Sequence, residues 1–156
     1  MVPKNQMDMA AALFRTIFAQ PDAEHVEEQF DVIAGNPPWL SYRFIRDKVY
    51  QDEVKGLTLR YGLLESGDVK LFTQMDLSTL FMVHCEANYL REGGTIAFVM
   101  PRSVITGAKQ HRPFQARGMT EILDLKGVFP LFNTETCVSI RRMGTLHSDN
   151  VPTKRY

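Results

Sequence analysis

The sequence predicts an α/β domain of about four strands with flanking helices, in which the last two strands pair antiparallel. Two observations predict this fold. Short apolar runs typical of buried strands alternate with helical patterns and end at glycine or proline. The last two runs are joined by a connection too short for a helical crossover. The chain of 156 residues, 44% hydrophobic and 23% charged, is long enough for one globular domain.

The composition excludes several classes of protein. Eighteen basic and eighteen acidic residues give a formal charge of zero, which excludes a strongly basic nucleic-acid binder but not a local basic patch. The two cysteines, Cys85 and Cys137, lie far apart in no metal-ligand spacing, so the sequence predicts neither a disulfide scaffold nor a metal site. No signal peptide and no apolar stretch of about 18 residues is found, so we expect a cytoplasmic protein.

The first elements are a helix and a strand. Residues 8–20 carry apolar side chains at helical spacing and end before a proline, which predicts a one-sided helix. Residues 21–29 are acidic and predict a solvated connection. Residues 30–34 are rich in β-branched side chains and stop at Gly35 and two prolines, which predicts a buried strand of a parallel sheet.

The middle of the chain predicts a helix–strand unit. Residues 41–68 are polar and charged and predict a helical piece followed by a long mobile excursion. The spacing of Thr73 and Asp76 resembles a capping box, which predicts a buried apolar helix that ends at Gly93-Gly94. Residues 95–100 then predict a second buried strand.

The last third predicts two paired strands after a basic segment. Residues 102–118 contain several basic side chains and no acidic one. Residues 121–125 and 136–140 predict the third and fourth strands, and residues 143–156 predict a C-terminal tail.

The segment with the clearest chemistry is Asn36-Pro37-Pro38-Trp39, directly after the first predicted strand. Ligands of open α/β sheets bind beyond the carboxyl ends of the strands. The asparagine amide oxygen and a proline carbonyl are two hydrogen-bond acceptors, and the indole is a flat stacking surface. This set suits a planar substrate that carries an NH₂ group. Accepting both of its hydrogens would draw the nitrogen toward tetrahedral geometry and free its lone pair to attack an electrophilic carbon.

Residues 31–39, Asp-Val-Ile-Ala-Gly-Asn-Pro-Pro-Trp, resemble the catalytic strand and loop of amino-group DNA methyltransferases, in particular the adenine-N6 enzymes of restriction-modification systems. Residues 90–101 are similar to the next helix, Gly-Gly turn and strand of that family. Residues 128–130 and the strand after them resemble its final hairpin. The resemblance implies the C-terminal half of a Rossmann-like S-adenosylmethionine-dependent sheet, with residues 1–29 as an N-terminal helix and connection and 30–142 as a partial catalytic domain.

The resemblance also implies roles for the loop residues. The side chain of Asn36 and the carbonyl of Pro37 would accept hydrogen bonds from an adenine amino group, and Pro38 would complete the rigid catalytic turn. Trp39 would stack on a base rotated out of the duplex. Phe129 would provide a second contact to that base. The methyl donor would be S-adenosylmethionine, with Asn36 at the edge of its pocket, and no metal is implied.

Two further sets of contacts are left open by the sequence. Phe132 is a weaker alternative to Phe129, because the intervening loop is longer than in some relatives. The basic side chains of Arg102, Lys109 and Arg112 would contact DNA phosphates, although a solvated helix face is the simpler interpretation of this stretch.

The cofactor side of the family's fold has no counterpart in the sequence. Only 35 residues precede Asn36, and their one glycine is Gly35, so the glycine-rich turn that holds the cofactor is missing. We therefore expect the isolated chain to be weakly active or inactive unless another polypeptide supplies that half. The missing strands would leave an open sheet edge, which predicts a homodimer or a complementary chain.

Two alternative functions remain at this stage. One is a methyltransferase of a different planar amine, such as a protein glutamine or an RNA base. The other is a non-catalytic, truncated module that binds DNA or a partner subunit.

Overall fold

The computed structural model describes residues 30–106, 108–128, 133–145 and 150–156. The predicted helix at 8–20, the acidic connection, and both Phe129 and Phe132 lie outside these residues. The strands are β1 Phe30–Gly35, β2 Leu90–Pro101, β3 Glu121–Asp124, β4 Thr136–Arg142 and β5 Thr153–Arg155. The helices are α1 Lys48–Arg60, α2 Leu77–Tyr89 and the short α3 Arg112–Gln115. Short 3-10 helices span Tyr42–Phe44, Ser66–Gln74, Arg102–Val104 and Lys109–His111.

The five strands form one mixed sheet in the order β1-β2-β4-β3-β5. β1 and β2 are parallel, and β4 runs antiparallel to both β2 and β3. The predicted antiparallel pairing of the last two strands is thus confirmed. β5 pairs parallel to β3 within the segment that the sequence predicted to be a tail. Its three exposed residues carry no apolar alternation, so no sequence pattern indicated a strand there.

Strand β1 forms where it was predicted, but the prediction that it is buried is wrong for the described structure. It pairs only with β2, at one end of the described sheet, and its side chains are largely exposed. Phe30 is 56% exposed and Val32 is 63% exposed. The apolar run correctly predicts a strand, but it does not show whether other elements of the fold pack against that strand.

The Gly93-Gly94 pair does not end a helix, as the sequence predicted. Helix α2 ends at Tyr89 and β2 begins at Leu90, and the ladder with β1 is interrupted around residues 91–94. Gly93 has a φ of 72°, and a Cβ on Gly94 would lie 2.8 Å from a carbonyl oxygen of the same segment. The two glycines therefore permit a bulge inside β2.

The segment between β1 and α2 is packed against the core, which corrects the expectation of a long mobile excursion. Tyr42 and Tyr50 are 0% and 1% exposed, and Leu63 and Leu64 join the same buried cluster. The buried side chains are aromatic residues and leucines that lie several positions apart. Most residues between them are polar, so the composition of the stretch did not indicate that it packs on the core. The helical piece that was predicted here is confirmed as α1.

Helix α2 is buried along most of its length, as predicted, but it begins three residues later than a cap at Thr73 would place it. Its N-cap is Asp76, whose carboxylate accepts a hydrogen bond from the backbone N–H of Ser78 at 2.9 Å. The helix packs on β2, from which Ile96 and Met100 are fully buried. In the described part of the chain, no helix is long and apolar enough to span a membrane.

Strand β5 is held through a close backbone contact at Gly127. The Gly127 N–H donates to the Tyr156 carbonyl at 2.9 Å, and the Tyr156 N–H donates to the Asp124 carbonyl at 2.9 Å. A Cβ on Gly127 would lie 2.4 Å from that Tyr156 oxygen. We therefore expect Gly127→Ala to release the end of β5 and to lower the free energy of unfolding by about 1–3 kcal/mol. Amide hydrogen exchange at Tyr156 and urea denaturation measure the two effects.

Gly56→Ala is the matched control for that substitution. Gly56 is exposed inside helix α1, and a Cβ there would meet nothing within 4 Å. The control is expected to stabilise the protein by about 0.5–1 kcal/mol, because alanine favours the helix. Unchanged Tyr156 exchange in Gly127→Ala would contradict the role given to this contact.

Candidate active site at the carboxyl edge of the sheet

The Asn-Pro-Pro-Trp loop lies at the edge of the sheet where the parallel strands β1 and β2 both end. Gly35 is the last residue of β1 and pairs with Phe98 of β2. The next residue, Asn36, is exposed, whereas Pro37 is buried. Asn36 is therefore exposed to solvent, while the next residue of the loop is packed in the protein interior.

Trp39 fastens this loop to β2. Its indole N–H donates a hydrogen bond to the carbonyl of Val99 at 3.1 Å, one residue beyond the last β1–β2 pair. The side chain is half-buried, so part of the ring remains accessible. The contact fixes the indole and the four-residue turn relative to the end of the strand.

The chain that leaves the loop is pinned to the start of α2. The Leu77 N–H donates to the Leu40 carbonyl at 3.0 Å, and the Tyr42 N–H donates to the Met75 carbonyl at 3.0 Å. The Tyr42 hydroxyl shares a 3.1 Å hydrogen bond with the Thr58 hydroxyl, and burial raises the pKa of this phenol. The loop is thus attached to β2 through Trp39 and to the start of α2 through Leu40, which preorganises the turn.

A charged cluster at the same edge joins the ends of β2 and β3. Arg102 donates two hydrogen bonds to the Asp124 carboxylate, at 2.9 and 3.1 Å, across the start of β4. Glu135 lies 3.7 Å from the same guanidinium. The hydrogen bonds from Arg102 hold the pKa of the Asp124 carboxyl below its usual value, although burial opposes the shift. This pair braces the carboxyl edge beside the loop.

The other two basic candidates lie at a shallow cavity of about 180 Å³. Lys109 donates to the Asp68 carboxylate at 2.8 Å, and Arg112 is exposed on the cavity wall. Leu63 and Leu71 contribute apolar surface to the same cavity. The structure therefore pairs two of the three predicted phosphate contacts, Arg102 and Lys109, with carboxylates.

Sequence reasoning missed two groups that shape this site. Val99 contributes a backbone carbonyl, which no residue pattern reveals. Asp124 is 2% exposed and ends β3, and an acidic residue at the carboxyl end of a predicted strand is a signal that could have identified it.

A family model described as Eco57I restriction-modification methylase matches residues 3–132. The comparison with curated proteins gives no match. Among solved structures, a putative class I S-adenosylmethionine-dependent methyltransferase from Listeria monocytogenes is similar, with a TM-score of 0.58 and 16% identity over 85% of this chain. The type IIG restriction endonuclease BpuSI is similar with a TM-score of 0.50 and 20% identity over 74% of this chain.

The chain spans 38% of the length of the Listeria protein and 14% of the length of BpuSI. At these identities the two structural likenesses establish the fold, that of an S-adenosylmethionine-dependent methyltransferase. The family match covers most of the sequence. On this evidence the chain belongs to the Eco57I family of restriction-modification methylases.

Proposed function

We propose that this chain is the substrate-binding catalytic part of a DNA adenine-N6 methyltransferase of a restriction-modification system, acting in the cytoplasm. One observation carries the proposal. The exposed Asn36 amide lies at the carboxyl edge of β1, on a turn that the Trp39–Val99 hydrogen bond attaches to β2. This is a preorganised acceptor at the edge where open α/β sheets bind their ligands.

The loop residues act on the amino group of the base. The Asn36 side-chain oxygen and the Pro37 carbonyl accept its two N–H groups, which localises the nitrogen lone pair. The accessible part of the Trp39 ring stacks on the base after it leaves the duplex. Phe129 is the proposed second contact to that base, with Phe132 as the alternative. A bound sulfonium donor would give its methyl group to this nitrogen and leave as the thioether, and the proton that N6 releases would pass to solvent beside the exposed Asn36.

S-adenosylmethionine would supply the electrophilic methyl group. Asn36 would border it, and the remaining pocket would belong to a cofactor half that another segment or chain supplies. Among the described strands β1 has no neighbour on its outer side, and its side chains are largely exposed, which supports this division because unpaired strand edges readily pair with another chain. A homodimer or a complementary polypeptide is therefore part of the proposal.

DNA is the proposed partner. Of the three basic residues that the sequence indicated, Arg112 is the best placed for a phosphate, because it is exposed and Arg102 and Lys109 already bind carboxylates. Phosphate contacts by the other two would compete with Asp124 and Asp68.

The experiment is methyl transfer from radiolabelled S-adenosylmethionine, with the chain alone and within its native polypeptide context. Duplex DNA, RNA and a glutamine-containing peptide serve as acceptors, and the DNA products are digested to nucleosides. We expect N6-methyladenine from duplex DNA in the native context and little product from the chain alone. N4-methylcytosine, methylated RNA or methylated glutamine as the main product would overturn the assignment of substrate.

A further inference from the structure

The segment that follows the site loop carries exposed basic residues on a buried frame. Tyr42, Ile45 and Tyr50 are 0%, 4% and 1% exposed and anchor residues 42–50 in the core. The side chains between these anchors face solvent. They are Arg43, Phe44, Arg46, Asp47, Lys48 and Val49.

The basic side chains of this segment differ in their ion pairing from the basic residues that the sequence had indicated for DNA contacts. In the part of the chain that the structure describes, ion pairs engage Arg102 and Lys109, but none engages Arg43, Arg46 or Lys48. The acid within the segment, Asp47, accepts the backbone N–H of Tyr50 at 3.0 Å as the N-cap of α1. The negative charge of Asp47 therefore interacts with the backbone N–H groups at the start of α1.

Arg43 is held over an aromatic ring. Its guanidinium carbon lies 4.8 Å from the centre of the Phe44 ring, a cation–π geometry, and Phe44 is itself 41% exposed. An arginine oriented in this way loses less side-chain entropy when it binds a phosphate. Basic and aromatic side chains exposed together are typical of nucleic-acid surfaces.

The segment lies at the same edge of the sheet as the site loop. Helix α2 precedes β2 and packs on it, so the start of α2 lies toward the carboxyl end of β2. The backbone at Leu40 and Tyr42 is bonded to that start. Arg43 is four residues beyond Trp39, and four extended residues span at most about 14 Å. A duplex whose base enters the loop would pass within reach of this segment.

We propose that Arg43, Arg46 and Lys48, supported by Phe44, form a docking surface for the DNA phosphate backbone beside the Asn-Pro-Pro-Trp loop. The inference rests on the proposed function and extends it, because it identifies the surface that holds the duplex while the loop holds the base. Arg102 and Lys109 are ion-paired with Asp124 and Asp68, whereas no ion pair in the described residues engages the basic side chains of this segment, so they are available to a phosphate.

The test is the double variant Arg43→Gln/Arg46→Gln, with duplex binding measured by fluorescence anisotropy over a range of salt concentrations. Each lost phosphate contact lowers the slope of log affinity against log salt by about 0.9. We therefore expect a slope smaller by about 2 and binding weaker by roughly ten-fold or more near physiological salt. The double variant Arg43→Lys/Arg46→Lys, which keeps both charges, should regain most of the affinity.

The control is Arg91→Gln/Arg142→Gln, which removes the same charge at the opposite edge of the sheet. Arg91 is near the start of β2, and Arg142 pairs with Thr95 at the amino end of the β2–β4 ladder. Both side chains are exposed, although Arg91 is paired with the Asp31 carboxylate and Arg142 donates to the Gly93 carbonyl at 3.1 Å, and we expect less than a two-fold change in affinity.

The possible outcomes separate this inference from the proposed function. Wild-type affinity in Arg43→Gln/Arg46→Gln, or an equal loss in the control, would overturn the docking surface while leaving DNA binding intact. Failure of the wild-type protein to bind duplex DNA, or tighter binding of an RNA duplex, would overturn both. Thermal unfolding of the Arg43/Arg46 variants should stay near wild type, because both side chains are exposed. The control should lose little stability, because the Arg91–Asp31 pair that it removes is also exposed.

Discussion

Replacing Asn36 with alanine is expected to lower the rate of methyl transfer by about 10²–10³-fold, by analogy with the loss of one preorganised polar group from other active sites. The substitution removes the proposed side-chain acceptor for the target amino group and leaves only the Pro37 carbonyl as the second proposed acceptor. Because Asn36 is exposed, the melting temperature should not change. The measurement is single-turnover methyl transfer with the protein in its native context.

Two further variants make this result specific. Asn36→Asp retains acceptor oxygens and should keep more activity than Asn36→Ala. Asn150→Ala alters another exposed asparagine, ahead of β5 at the opposite edge of the sheet, and should leave the rate unchanged. A rate for Asn36→Ala within a few-fold of wild type would show that the loop does not activate the amine.

The largest loss of stability is expected from Glu86→Ala. Glu86 on α2 is 3% exposed and accepts a hydrogen bond from the Arg141 guanidinium of β4 at 3.0 Å. Arg117 lies 3.7 Å away and also donates to the Tyr61 carbonyl. Removing the carboxylate leaves largely buried positive charge without its counter-ion, which costs about 3–5 kcal/mol. Urea denaturation followed by circular dichroism measures the change in the free energy of unfolding.

The controls for Glu86 separate burial from charge. Glu53→Ala removes an exposed acid of α1 and should change stability by no more than about 0.5 kcal/mol. The pair Glu86→Leu/Arg141→Met replaces the ion pair with apolar side chains. This pair should cost less than Glu86→Ala, because Arg141 is no longer left as a buried charge and only Arg117, which still donates to the Tyr61 carbonyl, loses its counter-ion. It remains measurable if Glu86→Ala fails to fold. Equal losses in Glu86→Ala and Glu53→Ala would contradict the structural role of this pair.

Predictions from local patterns succeeded where a short segment determines its own conformation. The apolar runs at β1, β2, β3 and β4 are bounded by glycine, proline or turn residues, and each forms a strand. The same patterns gave wrong predictions where contacts with other segments determine the local conformation. Gly93-Gly94 was interpreted as a helix end, because a glycine pair is equally compatible with a helix C-terminus and with a bulge.

The candidate site likewise has features that the sequence indicated and features that only the structure shows. Asn36, Pro37, Pro38 and Trp39 are adjacent in sequence, so the loop could be proposed as a site from the residue types alone. The Trp39–Val99 contact joins residues 60 positions apart through a backbone carbonyl, and no side-chain pattern encodes it. The ion pairs of the basic side chains could not be predicted either, because the sequence does not show which carboxylate lies beside each basic group in the folded protein.

The sequence by itself determined the class of fold, the antiparallel final pair and the candidate loop for which we propose the chemistry, since each depends on residues close together in the chain. Only the tertiary structure decided that β1 lies at an exposed edge, that β5 joins the sheet, and that Arg102 is bound to Asp124 while Arg43 faces solvent. The physical reason is that burial and ion pairing depend on segments far apart in sequence, which meet only when the sheet is assembled.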